Sequence, residues 1–495
     1  MPELREVRAL VGGRWLGADT TFPAVSPSTG ETFAKVALGD TALADAAVRA
    51  AADAAAAWAA TPPAERAAHL EEVAGLVRAR RDELALMLTT DQGKPLHTEA
   101  FAEVDELAQY FSMAAHDAER VAGSLPDSVS AARRVMVRRV PLGVVGVVSP
   151  WNWPYTMGAE LFAPAIAAGN TVVWVPAPTT SACSGVLAEL VAESGLPPGV
   201  FNFVPGPGPV VGDAVVSHPL VAGVGFVGSV ATGATVAARA AGKAQILELG
   251  GNGPMVVLAD ADLDLAAHES LEAAFLCAGQ SCTAGERFLV ERPVVAAFVE
   301  RVVELTRAHV RLGDPFDDTT TMGPLNNEPT AEKFDRHVAE AVDHGARLCH
   351  GGQRAGGYPT SLFAEPTVLE AVTPDMLIAR EETFGPVVPV VAVASAAEAL
   401  ELTNLSPFGL TAAVFTEDLE RGLAFAEAAR AGWVNVNAST NLWESHLPFG
   451  GRSGSSSGRG RVGGRCVLDA LSEPKTVVFP APRGSAPAWP GRLVP

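Results

Sequence analysis

The stretch from residue 275 to 287, which reads FLCAGQSCTAGER, holds two of the chain's five cysteines, Cys277 and Cys282. Only Cys282 lies in a turn of small and polar residues, where backbone N–H groups can point at an atom that the sulfur attacks. Cys277 follows a Phe-Leu pair, a setting typical of packing. A thiol in a polar turn can act as a nucleophile, whereas an isolated cysteine is more often a small buried hydrophobe. Cys282 is therefore a candidate nucleophile that other residues must support.

Two other stretches carry side chains that could assist a thiol nucleophile. In LELGGNGP, residues 247–254, Glu248 is an acid among apolar residues at a Gly-Gly turn. Burial would raise its pKa and make it a general base near neutral pH, although a salt-bridged or capping glutamate is the alternative. In PWNWPY, residues 150–155, Asn152 is held between Trp and Pro residues. Its amide could donate to a developing oxyanion, or the asparagine could only form a turn.

Two further stretches could bind a nucleotide. FVGSVATG, residues 226–233, joins an apolar strand to a helix through Gly228 and Ser229. The first N–H groups of such a helix can bind a phosphate, but the spacing is not the usual G-x-G-x-x-G, and an ordinary turn is the alternative. In AREETFGP, residues 379–386, Glu382 could accept a hydrogen bond from a sugar hydroxyl and Phe384 could pack on a flat ring, unless the stretch is only a helix end.

The elements that must position these residues follow an alternation of strands and helices. From Pro141 onward, short apolar runs such as GVVGVV and NTVVWV end in Gly, Pro or Ser. Helical segments such as Ala182–Ser194 and Ala266–Ala278 separate them. Continuous apolar runs with crossover helices predict an α/β fold with parallel sheets that are buried on both faces.

The N-terminal part of the chain differs in amino-acid composition and in the spacing of its charged residues. Residues 41–119 are rich in alanine with charges at helical spacing, which predicts several helices broken at TPP, residues 61–63, and at QGKP, residues 92–95. Residues 133–139, RRVMVRR, alternate apolar and basic side chains and predict an edge strand.

Length, charge and cysteine content exclude several classes of protein. A chain of 495 residues predicts two or three domains. Its formal net charge of -20 argues against a nucleic-acid partner or an anionic membrane surface. Five scattered cysteines do not form a disulfide framework, so a reducing compartment, the cytoplasm, is expected. No signal peptide, membrane span or metal-ligand spacing of histidines is evident, and no metal is expected.

Taken together, these stretches resemble the aldehyde dehydrogenase superfamily over about residues 8 to 480. Glu248 and Cys282 are 34 positions apart, as the general base and nucleophile are in that family. The matching stretches are, in chain order, SPSTGE, DQGKP, PLGVVGVVSPWNWP, GNTVVW, GLPPGVFNFVPG, FVGSxxxG, LELGGNGP, GQSC, EPTVL, REETFGPV, FGLTAAVFT, VNVN and PFGG.

The resemblance implies a role for each candidate. Cys282 would attack the aldehyde, the Asn152 amide and the Cys282 N–H would stabilise the oxyanion, and Glu248 would activate the water that releases the acid. NAD is the implied cofactor, with NADP open. The implied cofactor-binding residues are Ser149, Trp151, Gly228, Ser229, Gly233, Glu382 and Phe384.

The family fold has two parallel-sheet, Rossmann-like domains and a small β extension. This extension normally adds to a partner subunit's sheet, so a homodimer or homotetramer is implied. The implied division is a cofactor-binding domain at residues 1–120 and 142–250, a catalytic domain at 251–450, an oligomerisation extension at 121–141 and 465–483, and a loose tail at 484–495.

The sequence departs from the family pattern at the adenosine ribose. Where relatives carry a Lys and a Glu, the stretch GNTVVWVPAP has Val175 and Pro178, and neither side chain can form a hydrogen bond. The acid that would repel a 2′-phosphate is therefore missing, which leaves NADP open. Leu161 replaces a usual lysine, and Val462 stands in a turn that commonly carries an acid.

The substrate tunnel carries acids and aromatic rings at positions that line it in relatives. These residues are Glu106, Trp153, Glu160, Trp443 and Glu444. Carboxylates and rings suit a cationic substrate, so an aminoaldehyde is the hypothesis. The alternative is that these acids pair with arginines or face solvent.

Three other functions stay open at this point. A CoA-acylating relative would use the same thioester but often lacks the base at Glu248. A cofactor-independent cysteine esterase or thioesterase would not need the FVGSxxxG turn or Glu382. A catalytically silent paralogue is supported only by the altered ribose site at Val175 and Pro178.

Overall fold

The computed structural model describes residues 4–481, and the predicted tail at residues 484–495 lies outside them. The strands of the N-terminal half are β1 (Arg5–Val7), β2 (Ala9–Val11), β3 (Arg14–Leu16), β4 (Thr21–Val25), β5 (Thr32–Ala37), β6 (Arg133–Pro141), β7 (Val144–Val148), β8 (Thr171–Val175), β9 (Phe201–Phe203), β10 (Val221–Gly228) and β11 (Ala244–Leu249). Those of the C-terminal half are β12 (Gly253–Val257), β13 (Gly285–Glu291), β14 (Arg347–His350), β15 (Thr367–Glu370), β16 (Val387–Val393), β17 (Thr411–Phe415), β18 (Trp433–Val436), β19 (Gly458–Arg459) and β20 (Ser472–Pro480).

The α-helices are α1 (Thr41–Ala60), α2 (Pro63–Ala79), α3 (Arg81–Gln92), α4 (Phe101–Glu119), α5 (Thr156–Ala167), α6 (Ser181–Glu193), α7 (Asp213–Ser217), α8 (Val230–Arg239), α9 (Leu263–Phe275), α10 (Val295–His309), α11 (Glu328–Asp343), α12 (Leu377–Arg380), α13 (Ala396–Leu405), α14 (Leu419–Ala428) and α15 (Cys466–Ala470). The predicted breaks in the alanine-rich segment are confirmed. The Asp40 carboxylate caps α1 by accepting from the Leu43 N–H at 2.8 Å, and Gly93 ends α3 with a φ of 98°.

Two large sheets carry most of the strands and confirm the predicted α/β fold. The first has the order β3-β2-β9-β8-β7-β10-β11-β19, and its strands from β9 to β11 run parallel. The second has the order β14-β15-β16-β13-β12-β17-β18, and only β14 is antiparallel. The predicted domain boundary at residue 250 falls between β11 and β12, which belong to different sheets.

Several central strands of the two sheets are mostly apolar because helices cover them. All residues of β8, β12 and β17 are buried. Such strands show no polar alternation, as expected for parallel sheets with crossover helices on both faces.

A separate two-stranded ribbon pairs the two segments of the predicted extension. β6 and β20 run antiparallel over nine residue pairs, from Pro141–Ser472 to Arg133–Pro480. The predicted edge strand is therefore present in β6. Apolar side chains of β20 face outward, with Val478 52% and Phe479 43% exposed.

The helix before the candidate nucleophile differs from its prediction. The predicted helix Ala266–Ala278 begins earlier, at α9, because Asp262 caps it by accepting from the Leu265 N–H at 3.1 Å. It ends at Phe275, since Cys277 and Ala278 adopt left-handed φ angles of 52° and 53°. These residues reverse the chain and direct it toward the first sheet.

Candidate active site

One cavity of about 910 Å³ brings the three candidate catalytic residues together. Cys282, Glu248 and Asn152 all line it, although they come from different parts of the chain. The cavity also reaches the predicted residues at its two ends. On the cofactor side these are Trp151, Gly228, Ser229, Glu382 and Phe384, and on the substrate side Glu106, Trp153, Glu160, Trp443 and Glu444.

Hydrogen bonds hold the loop of Cys282 on both sides of the sulfur. The Ser281 and Thr283 hydroxyls both donate to the Asn441 carboxamide oxygen, at 3.1 and 2.6 Å. The Asn441 amide in turn donates to the Glu272 carbonyl at the end of α9. The thiol therefore lies on a fixed turn and is half-buried at the cavity wall.

Asn152 contacts the same loop through its amide. Its Nδ2 donates to the Gln280 carbonyl at 2.9 Å, and Gln280 is itself fixed by donating to the Cys277 carbonyl at 2.7 Å. A carboxamide has two N–H donors. One is used to hold Asn152 against the loop of Cys282, and the second is available to an oxygen in the cavity.

Glu248 is buried without a partner for its carboxyl group. It is 2% exposed, and within residues 4–481 neither carboxyl oxygen has a hydrogen-bond partner of normal geometry. Burial, with a smaller contribution from the charge of Glu382, raises its pKa to about 8, and the neighbouring Cys282 thiol offsets part of that rise. The salt-bridged and capping alternatives for Glu248 are therefore excluded.

The same surroundings keep the Cys282 thiol protonated. Burial and then the negative charges of Glu248 and Glu382 raise the pKa of Cys282 well above its usual value. The thiolate therefore forms only when a base accepts the proton, and Glu248 is the carboxylate beside it. Cys277 is buried, and burial raises its pKa to about 12, which agrees with a packing role.

At the cofactor side, two aromatic rings and a carboxylate meet. The Trp151 and Phe384 rings lie edge to face, with centroids 5.4 Å apart. Phe384 has a left-handed φ of 59°, and its N–H donates to the Glu286 carboxylate at 2.7 Å. The Glu382 carboxylate accepts from the Gly251 N–H at 2.8 Å. Sequence reasoning missed Glu286, because the support it gives comes from a strand about a hundred positions away.

The turn after β10 opens onto the cavity as predicted, but two predicted cofactor residues do not. Ser229 caps α8 by accepting from the Thr232 N–H at 3.3 Å, and Gly228 lines the cavity beside it. Gly233 faces Leu249, where a Cβ would collide with the leucine side chain. Ser149 is buried and accepts from the Trp174 indole N–H at 2.8 Å. Gly233 and Ser149 therefore lie behind the cavity wall and do not line the cavity.

The residues that replace the family's ribose contacts do not reach the cavity either. Val175 is fully buried in the core, Pro178 is exposed, and neither lines the cavity. Leu161 is also fully buried, against Gly225. The long cavity, the open helix N-terminus and Glu382 fit a dinucleotide, but the residues at 175 and 178 provide no hydrogen bond to its adenosine ribose.

A buried ion pair forms one wall of the substrate side. Lys94 and Glu103 are 2.6 Å apart, and both are buried. The Lys94 ammonium also lies 4.2 Å from the centre of the Trp153 ring. Sequence reasoning noted Lys94 only as part of the DQGKP stretch and missed Glu103. The position of Lys94 in a stretch that matches the family was the available signal.

The remaining predicted substrate residues lie at the same end of the cavity. The Trp443 ring packs against Phe449 with centroids 4.9 Å apart. Burial and then the charge of Glu103 raise the pKa of Glu106 to about 7. In the described chain, no arginine pairs with Glu106, Glu160 or Glu444, and Glu444 contacts His446 at 3.4 Å. The arginine-paired alternative for these acids is therefore not met, whereas the solvent-facing alternative holds for Glu444, whose side chain is exposed.

Two features are absent from residues 4–481. No group of three or more His, Cys, Asp or Glu side chains is placed to hold a metal ion. None of the helices there is both long enough and apolar enough to cross a membrane.

Two Rossmann-like sheets, with a cavity that runs from the turn at Gly228 to the thiol of Cys282, are the arrangement expected of an enzyme that binds a dinucleotide. Residues 15–477 match the model described as the aldehyde dehydrogenase family. The chain belongs to that family, and the resemblance seen in the sequence is confirmed.

Individual relatives cover almost the whole chain. The mitochondrial succinate-semialdehyde dehydrogenase of Arabidopsis thaliana is 37% identical over 96% of this chain and 89% of its own. An NAD-dependent aldehyde dehydrogenase from Sinorhizobium meliloti is 38% identical, with a TM-score of 0.92 over 97% of this chain and 96% of its own. An NADP dependent enzyme of E. coli is 34% identical, with a TM-score of 0.93 over 96% and 98%. NAD is therefore supported, with NADP open as predicted.

Proposed function

We propose that this aldehyde dehydrogenase converts its aldehyde into the free carboxylic acid through a thioester on Cys282, which water activated by Glu248 hydrolyses. One observation carries the proposal. A thiol, an unpaired buried carboxyl and a carboxamide line the same cavity as the turn at Gly228 and the Glu382 carboxylate.

In the first half of the reaction, the chain prepares the thiol and receives the developing charge. Glu248 accepts the proton of Cys282, and the sulfur attacks the aldehyde carbon to give a thiohemiacetal. The free N–H of the Asn152 amide and the Cys282 N–H stabilise its oxygen. Bound NAD(P)+ supplies the hydride acceptor that turns the thiohemiacetal into a thioester.

Before the second half, Glu248 releases the thiol proton to water and returns to the carboxylate, and it then acts on the water that attacks the thioester. With a pKa of about 8, its carboxylate is a stronger base than an ordinary glutamate and removes a proton from water as the water attacks the thioester. The carbon–sulfur bond breaks, the acid leaves and the thiol is restored. Over one turnover, aldehyde, water and NAD(P)+ give carboxylate, NAD(P)H and two protons.

We also propose that the preferred substrate is an aminoaldehyde. Eight glutamates and two lysines line the cavity, and Lys94 is already paired with Glu103. Burial favours the neutral acid at Glu160 and Glu248, but Glu444 is exposed, and Glu106, with a pKa of about 7, is partly ionised. A carboxylate substrate, such as the one in the Arabidopsis relative's name, would meet these acids at the substrate end. An ammonium group would instead gain charge attraction and contact with the Trp443 ring.

A substrate panel tests the function. We expect NAD(P)H formation with 3-aminopropanal to exceed that with propanal or succinate semialdehyde by about tenfold in kcat/KM, which corresponds to roughly 1.4 kcal/mol. The product should be the free acid, and added CoA should not change the rate. Equal rates for all three aldehydes would refute the aminoaldehyde preference alone.

Other outcomes of the panel identify the alternative functions. A strict need for CoA, with an acyl-CoA product, would show an acylating enzyme. Ester hydrolysis without any aldehyde-dependent NAD(P)H would support a cysteine esterase.

Comparison of NAD and NADP at equal concentration gives the cofactor preference. We propose that the enzyme prefers NAD and binds it with modest affinity, since Val175 and Pro178 offer no ribose contact.

We propose that the ribbon of β6 and β20 joins copies of the chain into a homodimer or homotetramer. Val478 and Phe479 expose large apolar surface on this ribbon. The Val478→Asp variant is expected to shift the species measured by light scattering toward the monomer. Leu423→Asp, which replaces an equally exposed leucine on α14, is the matched control and should not. A wild-type monomer would contradict the proposal.

The five free, dispersed cysteines support a reducing compartment, which we propose to be the cytoplasm.

A further inference from the structure

Glu160, on α5, lies between the main cavity and a second, much smaller one. Its side chain is 2% exposed, and within the described chain its Oε1 has no hydrogen-bond partner. It lines the main cavity together with Glu248, and it also lines the small cavity together with Tyr110 and Asp117. The small cavity has a volume of about 10 Å³, close to the space that one water molecule needs.

Acidic side chains lie near Glu160 on the helix α4, which carries Glu106, and on the strand β11, which carries Glu248. Burial, followed by the charges of Glu106 and Glu248, raises the pKa of Glu160 well above its usual value, which favours the neutral acid. The Tyr110 hydroxyl lies beside Glu160 and Glu106, and it too is buried without a hydrogen-bond partner of normal geometry.

The far side of the small cavity leads toward solvent. Asp117 lies about two helical turns after Tyr110 on α4 and is half-exposed. The positive charges of Arg465 and Arg120 lie near its carboxylate. Glu160 thus has Glu248 and Cys282 on its inner side and a partly solvated carboxylate on its outer side.

A buried carboxyl with one unpartnered oxygen is costly and needs a reason. Packing alone does not require it, because an apolar side chain of similar size would fill the position at lower cost. A neutral carboxyl can accept a proton on one oxygen while it releases a proton from the other. This property suits a group that lies between two cavities.

We propose that Glu160 is a proton relay for Glu248. After Glu248 has taken a proton from the attacking water, the proton crosses the main cavity to one carboxyl oxygen of Glu160. The original acid proton of Glu160 leaves from its other oxygen into the small cavity and passes to Asp117 and solvent. Glu248 returns to the carboxylate and Glu160 to the neutral acid, so no net charge accumulates. This inference rests on the proposed function.

The Glu160→Gln variant tests the relay, because an amide keeps the volume but does not exchange protons in this way. The substrate is propanal, which is neutral and removes any role of Glu160 in binding an ammonium group. We expect a first turnover of NADH at the wild-type rate, followed by a steady state slowed about tenfold to a hundredfold, within the range for lost acid–base catalysis.

Two readouts separate a relay from a structural role. The solvent deuterium isotope effect on the steady-state rate should increase in Glu160→Gln, since proton release becomes limiting. Glu160→Asp should recover part of the rate, because it restores a carboxyl. Glu119→Gln, an exposed change on α4, is the matched control and should behave as wild type.

The outcomes distinguish this inference from the function beneath it. Wild-type protein without aldehyde-dependent NAD(P)H formation would refute the proposed function itself. An active wild type and a folded Glu160→Gln variant with the same propanal rate and isotope effect would refute the relay alone. A slowed first turnover as well as a slowed steady state would also refute it, since the change would then affect acylation.

Discussion

Replacing Cys282 with alanine is expected to lower aldehyde-dependent NAD(P)H formation by at least about a thousandfold. Alanine cannot form the thiohemiacetal, and no other thiol of the described chain lines the cavity. The cavity and the dinucleotide site remain, so the variant should still bind NAD. Stopped-flow absorbance for NADH and calorimetry for NAD binding measure the two effects.

A second cysteine variant serves as the control. Cys349 lies on β14, is also half-buried, and does not line the cavity, so Cys349→Ala should keep wild-type activity. Mass spectrometry after brief treatment with aldehyde and NAD should find the acyl adduct on Cys282 in the wild type. Unchanged oxidation by the Cys282→Ala protein would refute the assigned mechanism.

Replacing Glu248 with glutamine is expected to slow both halves of the reaction and to slow hydrolysis the more. The amide can take a proton from neither the Cys282 thiol nor water, so the thioester should form slowly and then accumulate, and the steady-state rate should fall about a hundredfold to ten-thousandfold. Rapid quenching followed by mass spectrometry would show an acyl group retained on the chain. A variant that keeps the wild-type steady-state rate and retains no adduct would contradict the assignment of Glu248 to hydrolysis.

The pH dependence of the wild type follows from the raised pKa of Glu248. A general base works only when deprotonated, and with a pKa of about 8 the carboxylate fraction is roughly one tenth at pH 7 and nine tenths at pH 9. The steady-state rate should therefore rise with pH up to about pH 9. The residual activity of Glu248→Gln should lack this rise. A flat wild-type profile between pH 7 and 9 would contradict the raised pKa.

The sequence predicted the elements better than it predicted the surroundings of each side chain. Apolar runs and turn residues were enough for parallel sheets and for helix breaks, because these depend on neighbouring residues. The end of α9 at Phe275 was missed, since the left-handed residues Cys277 and Ala278 are not glycines and follow from contacts made elsewhere in the fold.

In the candidate site, too, the features that depend on neighbouring residues could be predicted and those that depend on distant contacts could not. Glu248 could be identified as an acid among apolar residues, but only the structure shows that it has no ion pair or hydrogen bond within the described chain. The anchoring of the nucleophile loop by Asn441 and the support of Phe384 by Glu286 are long-range contacts without a local signal. The roles of the catalytic and cofactor residues stay predictions until the variants above are measured.

Gly279 has a consequence for how the enzyme could adapt. Its backbone lies against the carbonyl of Gly385 so closely that no Cβ would fit. The loop that bears the thiol and the turn that bears Phe384 are therefore in close backbone contact, and a side chain at position 279 would push them apart. Substitutions near Trp443 and Glu444 leave this contact intact, so we expect the range of aldehydes to change more readily there.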